Sequence, residues 1–251
     1  MAQTDRKPSI SWVVMLGAGL AVASALVLLA APVGYRLGML PLRVALQTFL
    51  RWGAYGGIAA AVVSLAGLVV TVMRPREARR GLLLAAVSLL VGLALVGIPG
   101  RFRMGPPKPP IHDITTDTRE PPEYIAVLPL RASAPNTTVY GGEKIAAQQR
   151  AAYPELQPLM LNVPPPQAFD RALAAVRDMG WELVAADATA GRIEATDTTF
   201  WFGFKDDVII RVRPADGGSR VDVRSLSRVG GGDAGTNAKR IRAYLEALRD
   251  E

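Results

Sequence analysis

The sequence predicts a chain in two parts: an α-helical membrane half with three transmembrane helices, and a soluble C-terminal α+β domain whose antiparallel sheet has two helices packed on one face. Three observations predict it. Three stretches, about 11–33, 52–73 and 81–100, contain no Asp, Glu, Lys or Arg. Charge is divided unevenly, with nine Lys or Arg against two acids (Asp5 and Glu77) in residues 1–100 and twenty of each in residues 101–251, so the whole net charge of +7 lies in the first part. The C-terminal part reads as short alternating runs bracketed by two segments of helical period.

Each uncharged stretch approaches or exceeds the ~20 residues that cross a hydrocarbon core, and a helix apolar on every side suits lipid better than a protein interior. A cleavable leader is the alternative for the first, because Arg6 and Lys7 precede it and Ala30 and Ala31 follow. Its apolar run exceeds the ~7–15 residues of a leader core. Small residues recur four apart at Gly53, Gly57 and Ala61 and again at Ser88 and Gly92, a spacing that lets helix backbones approach closely in lipid. The spans hold no ionisable side chain of the kind that builds a proton relay or ion path.

Between the first two spans, Pro41 to Arg51 sets Arg43, Gln47 and Arg51 on one helical face and apolar residues on the rest. This amphipathic segment, 41–51, either lies along the membrane surface or makes a tight re-entry turn. The connector before the third span carries Arg74, Arg76, Arg79 and Arg80. The positive-inside rule places it, with Arg6 and Lys7, in the cytoplasm, and three crossings then put the C-terminal domain on the far side. Arg36, Arg43 and Arg51, with Arg101, Arg103 and Lys108, weigh against that orientation.

Residues 101–110 form a Pro-rich linker, expected to be an extended, semi-rigid spacer, and the soluble domain occupies 111–251. Its first clear helix follows Pro164–Pro166, buries Phe169, Ala172, Leu173 and Val176 on one face and stops at Gly180. Strands are expected at Trp181–Ala186, Arg192–Thr199, Asp207–Arg213 and Arg220–Ser227, the last pair joined by an Asp-Gly-Gly hairpin turn. A closing helix spans about Thr236–Leu248. Strands without helices between them imply an antiparallel sheet covered on one side. Val208, Ile210, Val212, Val221 and Val223 are expected to face the helices; Arg211, Arg213, Arg220, Asp222 and Arg224 are expected to face away, as a solvated ladder of cross-strand pairs with acids such as Glu194 or as a contact for an anionic partner.

Three segments, IHDITTDTREPPEY (Ile111–Tyr124), TTFWFGFKDDVIIRVRP (Thr198–Pro214) and SRVDVRSLSRVGGGDAGTNAKRIR (Ser219–Arg242), resemble in order the bacterial domain-of-unknown-function family 1499, in its membrane-anchored type with a multi-span N-terminus. The resemblance covers essentially the whole soluble half. It implies no established activity, cofactor or substrate and no catalytic residue; the bacterial inner (cytoplasmic) membrane location with an extracytoplasmic domain is what the spans and their flanking charges lead one to expect.

Chemistry-bearing patterns are sparse. The absence of cysteine removes disulfides, thiol catalysis and thiolate metal sites. Charge balance in the soluble half argues against nucleic acid as a partner. Gly230–Gly235 satisfies G-x-G-x-x-G, but the chain ends at Glu251 before the second strand and acid of a dinucleotide fold. What remains there is an anion site at a helix N-terminus with Arg228 or Arg240, or a connection capped by Asp233 or Thr236. His112, the only histidine, stands with Asp113 and Asp117 as the candidate catalytic set, a general base or a metal ligand, against a turn fixed by side-chain hydrogen bonds. Trp201, Phe202 and Phe204, with Lys205, line a ligand pocket, touch a membrane interface, or plug the core at a bend.

The function expected is a membrane-anchored extracytoplasmic binding or interaction module without cofactor or metal, its partners the lipid bilayer and an envelope protein or lipid ligand. The alternatives are an envelope hydrolase using His112 and Asp113, and a structural subunit of a membrane complex.

Overall fold

The computed structural model describes residues 9–75, 79–101 and 108–250. Arg6, Lys7, Arg76 and most of the expected linker, including Arg103, lie outside the described residues. The chain divides into two compact units, Met1–Gly105 and Pro106–Glu251.

The first unit is helical: α1 (Trp12–Arg36), α2 (Leu42–Val72) and α3 (Leu82–Arg101). By length and composition α1 and α2 are able to cross a membrane, whereas the described apolar stretch of α3, Leu82–Gly97, is shorter. The amphipathic stretch 41–51 is neither a separate surface helix nor a re-entry turn. Extended backbone at Pro41 starts a helix that runs through a π-helical turn, Ala45–Phe49, directly into the second apolar stretch. No Gly or Pro interrupts residues 42–52, and Arg43 Nε donates to Gln47 Oε1 at 3.2 Å one turn on.

Packing in this unit inverts the pattern of a water-soluble core. The buried residues of α2 are Gly53, Gly57, Ala60, Ala61, Ser64, Gly67 and Thr71, while Trp52, Tyr55, Ile58, Val62 and Leu65 are exposed. The small-residue spacing read from the sequence marks real contacts on two sides of α2. A Cβ on Gly53 would meet Leu28 Cγ at 2.4 Å, and one on Gly92 would meet Ala61 N at 2.7 Å and Gly57 O at 2.9 Å. Ser24, Thr71 and Ser88 turn their hydroxyls onto the carbonyls of Leu20, Gly67 and Leu84, each at 2.7 Å, so they present no unpaired donor at these contacts.

The second unit is built on one antiparallel sheet. Its strands are β1 (Asp113–Thr115), β2 (Leu159–Leu161), β3 (Glu182–Asp187), β4 (Arg192–Thr198), β5 (Lys205–Ala215) and β6 (Gly218–Ser227). The order is β1-β6-β5-β4-β3, and β2 pairs with β6 as well. β1 and β2 share one edge of β6, at registers Asp113↔Leu226 and Leu159↔Val221. The β5–β6 hairpin closes at Gly217, whose φ of 77° suits the tight turn that the Asp-Gly-Gly signal predicts.

Among the described residues three α-helices accompany the sheet: α4 (Gly142–Ala152), α5 (Pro165–Asp178) and α6 (Thr236–Asp250). Ile193, Val208, Ile210, Val212, Val221 and Val223 point to the face that α5 and α6 cover and join Phe169, Ala172, Ile241 and Leu248 in a single core. Trp181 stacks on Tyr244 at 5.4 Å, and Tyr244 Oη donates to Ala172 O at 2.9 Å. On the edge strand, the α4 side chain of Gln149 pairs with both backbone groups of Thr115, at 2.9 and 2.6 Å, as another strand would.

Substituting Gly92→Val drives a side chain into the Gly57–Ala61 backbone, which has no rotamer to yield. We expect a loss of about 1–3 kcal/mol, read as a lower thermal midpoint of the detergent-solubilised chain by circular dichroism. Gly19→Ala, whose Cβ meets nothing within 4 Å, leaves that midpoint unchanged or slightly raised.

Candidate functional site

The second sheet face carries the polar half of the alternation, and it is not open to solvent. Residues 116–140 run across it as a strap, so the ladder expected to be solvated is a buried ionic layer in which Asp222 and Arg224 are 0% and 2% exposed. The strap is held from both directions. Tyr124 Oη sits over the carbonyls of Asp207 (2.9 Å) and Arg224 (3.2 Å). The fully buried Glu194 carboxylate accepts the backbone N–H groups of Ile125, Ala126 and Val127 at 2.9–3.1 Å and lies 3.2 Å from Arg192 Nε.

Three arginine clusters complete the layer. Arg224 lies between the rings of Tyr124 and Tyr140, at 5.0 and 5.5 Å, and binds both oxygens of Asp113 at 2.9 and 2.8 Å. It also donates to Pro122 O and Thr138 O. Burial alone would lower the Arg224 pKa, but the Asp113 carboxylate and the two tyrosines outweigh it and raise it, while burial pushes the Tyr140 phenol up to about 12. Arg211, Arg213 and Arg220 converge on Asp117 and Asp222, with Glu120 on the solvent side of Arg213. Arg131 and Arg228 share Asp207, which also accepts from Thr196 Oγ1 at 2.7 Å. For Asp207 burial favours the neutral acid, yet the hydrogen bonds from Arg228, Thr196 and Arg131 prevail and hold its carboxyl below the ordinary range.

The candidate catalytic residues do not assemble into one site. Asp113 is committed to Arg224, and Asp117 is divided between the Arg119 and Glu120 N–H groups and Arg220. His112 offers its carbonyl to Ser227 N and Asn237 Nδ2, and its buried Nδ1 has no hydrogen-bond partner among the described residues. Among the described residues no three His, Asp or Glu side chains group to hold a metal ion.

The glycine-rich connection before α6 is occupied by its own chain. Asp233 accepts Gly235 N at 2.8 Å and Asn237 N at 2.6 Å, which is the capping alternative. Burial raises the Asp233 pKa despite those bonds. Arg240, expected to serve an anion there, instead reaches Asp197 and Asp206 at 2.7 Å each, and Arg228 is bound to Asp207. The N–H groups of Asp233, Gly235, Thr236 and Asn237 and both guanidiniums are thus already engaged.

The remaining candidates do come together, at the end of the sheet where β4 turns into β5. Thr199 N donates to Phe204 O, Gly203 N to Thr199 O and Phe204 N to Thr199 Oγ1, each at 2.9 Å, and Gly203 adopts φ 66°. These bonds fix a tight turn. Phe202 and Phe204 stack at 5.0 Å, half-buried, but Trp201 is 57% exposed, so it is not the core plug. Phe200, outside the sequence-derived candidates, is 80% exposed and meets Trp201 edge-on at 5.3 Å. Its place in the Phe-Trp-Phe-Gly-Phe run was the available signal. Lys205 opens β5 beside them, and Arg228 links the turn to the strap by donating its N–H to Lys205 O and its Nη1 to Leu130 O, at 3.0 Å each. Arg240 belongs to the opposite face of the same end, through Asp206.

Pro122, Ile125, Arg192, Ile209 and Arg211 line a shallow depression of about 140 Å³ between strap and sheet, which is well below the ~300 Å³ at which small-molecule sites begin.

The model of a family described as protein of unknown function (DUF1499) matches residues 113–248, more than half of the chain. The chain belongs to that family. No curated protein and no solved structure matches it.

Removing one partner of a buried pair strands the other, a cost of roughly 3–5 kcal/mol. Arg224→Met is therefore expected to lower the urea midpoint of the soluble unit's transition far more than Glu120→Gln on the exposed rim. Because the Asp207 carboxyl titrates lower in the folded than in the unfolded chain, its stabilisation is complete above the unfolded carboxylate pKa of about 4 and is lost as pH falls through the folded value. Asp207→Asn should lower stability at neutral pH and flatten the decline below about pH 4 in denaturant titrations.

Proposed function

We propose that the chain is a membrane-anchored interaction module of the bacterial inner membrane: three spans, the N-terminus in the cytoplasm, the α+β domain outside it, and no catalysis of its own. The anchoring rests on the two long apolar helices, a third apolar helix beside them, and large apolar side chains turned outward over small-residue contacts, as helices in lipid pack. The orientation rests on the arginines between α2 and α3.

One observation carries the interaction reading. The soluble unit engages its buried arginines and carboxylates internally yet displays Phe200 and Trp201 on a turn fixed by three hydrogen bonds. A large apolar surface held rigidly in water loses little entropy on binding and gains from leaving water, which is how aromatic contacts dominate interfaces. A hydrolase built on His112 and Asp113 finds less support, since Asp113 is held by Arg224.

A photoreactive phenylalanine analogue at position 200, introduced in native membranes, is expected to form an adduct with lipid or an envelope protein, and the adduct should be lost with Trp201→Ser. Repeated recovery of the bare chain would overturn the proposal. A single cysteine at Asp216, unique because the chain has none, should react with an impermeant maleimide in spheroplasts; labelling only after lysis would reverse the orientation.

A further inference from the structure

We infer that the Phe200–Trp201 turn docks on a lipid bilayer, seating its two aromatic side chains at the headgroup boundary of the membrane that anchors the same chain. The inference rests on the anchored reading above and names the partner of its contact surface.

The chain enters the sheet at one end. β1 begins at Asp113 opposite Leu226, and Leu226 lies opposite Asp207 near the start of β5. The segment arriving from the apolar helices therefore joins the soluble unit at the end that carries the β4–β5 turn. Three strand spacings of about 4.8 Å separate β1 from β4. The β5–β6 hairpin lies at the far end, about 35 Å along the eleven-residue β5.

The reach of the chain is short. Residues 108–112 already lie on the soluble unit, with Ile111 buried and Lys108 over the Tyr153 ring, so six residues, 102–107, separate it from Arg101, the last of α3. Fully extended, they span at most about 25 Å, so the turn experiences the bilayer surface at the high effective concentration of a short tether. A contact too weak to recruit a free domain is populated under that condition.

Trp and Phe on an ordered turn have the apolar body that favours the interfacial zone. Leu128 and Leu130 of the strap are exposed, and the Leu130 carbonyl is bound by Arg228 at the same end. Charges nearby balance: Lys205, Arg131, Arg228 and Arg240 stand against Glu182, Asp197, Asp206 and Asp207. An acidic protein or a requirement for anionic lipid would call for positive excess, and none is present in this group. The docking is accordingly apolar, insensitive to salt and equally strong on zwitterionic lipid.

The test uses the full chain in phosphatidylcholine liposomes with one nitroxide per molecule, at Phe200→Cys, Asp216→Cys or Val62→Cys. Relaxation by dissolved oxygen is compared with that by a water-soluble nickel complex. The proposal expects the oxygen-to-nickel ratio at 200 to be several-fold above that at 216, to survive high salt, and to fall toward the 216 value with Trp201→Ser. A label at 200 as nickel-accessible as that at 216, while the label at 62 is shielded, overturns lipid docking and returns the turn to a protein partner. Nickel access at 62 equal to that at 216 removes the anchor itself, and the docking with it.

Discussion

The soluble unit depends on burying ionic groups that are far apart in sequence, both within the sheet and between the sheet and its strap. Asp113 and Arg224 stand 111 residues apart, and Arg131 and Asp207 stand 76 apart. Charges taken out of water cost several kcal/mol each unless geometry and further hydrogen bonds satisfy them. Here the carboxylates of Asp113, Asp207 and Glu194 meet guanidinium or backbone N–H groups on most of their accepting positions. Satisfying them requires strap and sheet to be in place together, so the layer couples the two. The family match opens at Asp113 and runs past Arg224, so both ends of the longest of these pairs fall inside it.

Alternation made the apolar side legible. Val208, Ile210 and Val212 against Val221 and Val223, joined by Asp-Gly-Gly, identify two strands, a hairpin and an inward face without reference to anything distant. The opposite face shows how far such reasoning extends. Arg211, Asp222 and Arg224 fall on the expected face, but a charged residue in a strand reads as solvated unless its cover is known, and the cover is an irregular strap with no period. β1 and β2, three residues each, are too short to have a pattern. At Pro41–Arg51 amphipathicity suggested a separate element, where the absence of a helix breaker was the stronger fact. At Trp201 the core plug was one of three alternatives, and a turn this tight has no second layer to bury that ring in.

The two units follow opposite packing patterns. In the sheet unit large apolar residues collect inside and leave water. In the helical unit the close approach is made by backbone, through Gly57, Ala61 and Gly92, and supplies dispersion contacts instead. Val62, Leu65 and Trp52 stay on its exposed side, a distribution that would be a liability in water and that lipid would suit.

An interior whose buried charges are paired leaves little for a ligand. Arg131, Arg224 and Arg240 are buried and carboxylate-bound, and Arg131 and Arg224 would turn to a ligand only by breaking a pair beneath the strap. The depression beside Ile125 is too small to enclose a substrate. Free energy of association is then available mainly where the fold leaves an unfavourable exposure uncorrected. On the described surface of the sheet's entering end that place is the Phe200–Trp201 turn, held by Thr199 and Gly203 rather than by burial. Rigidity without burial is costly to stability and is retained at contact surfaces for what it saves on binding.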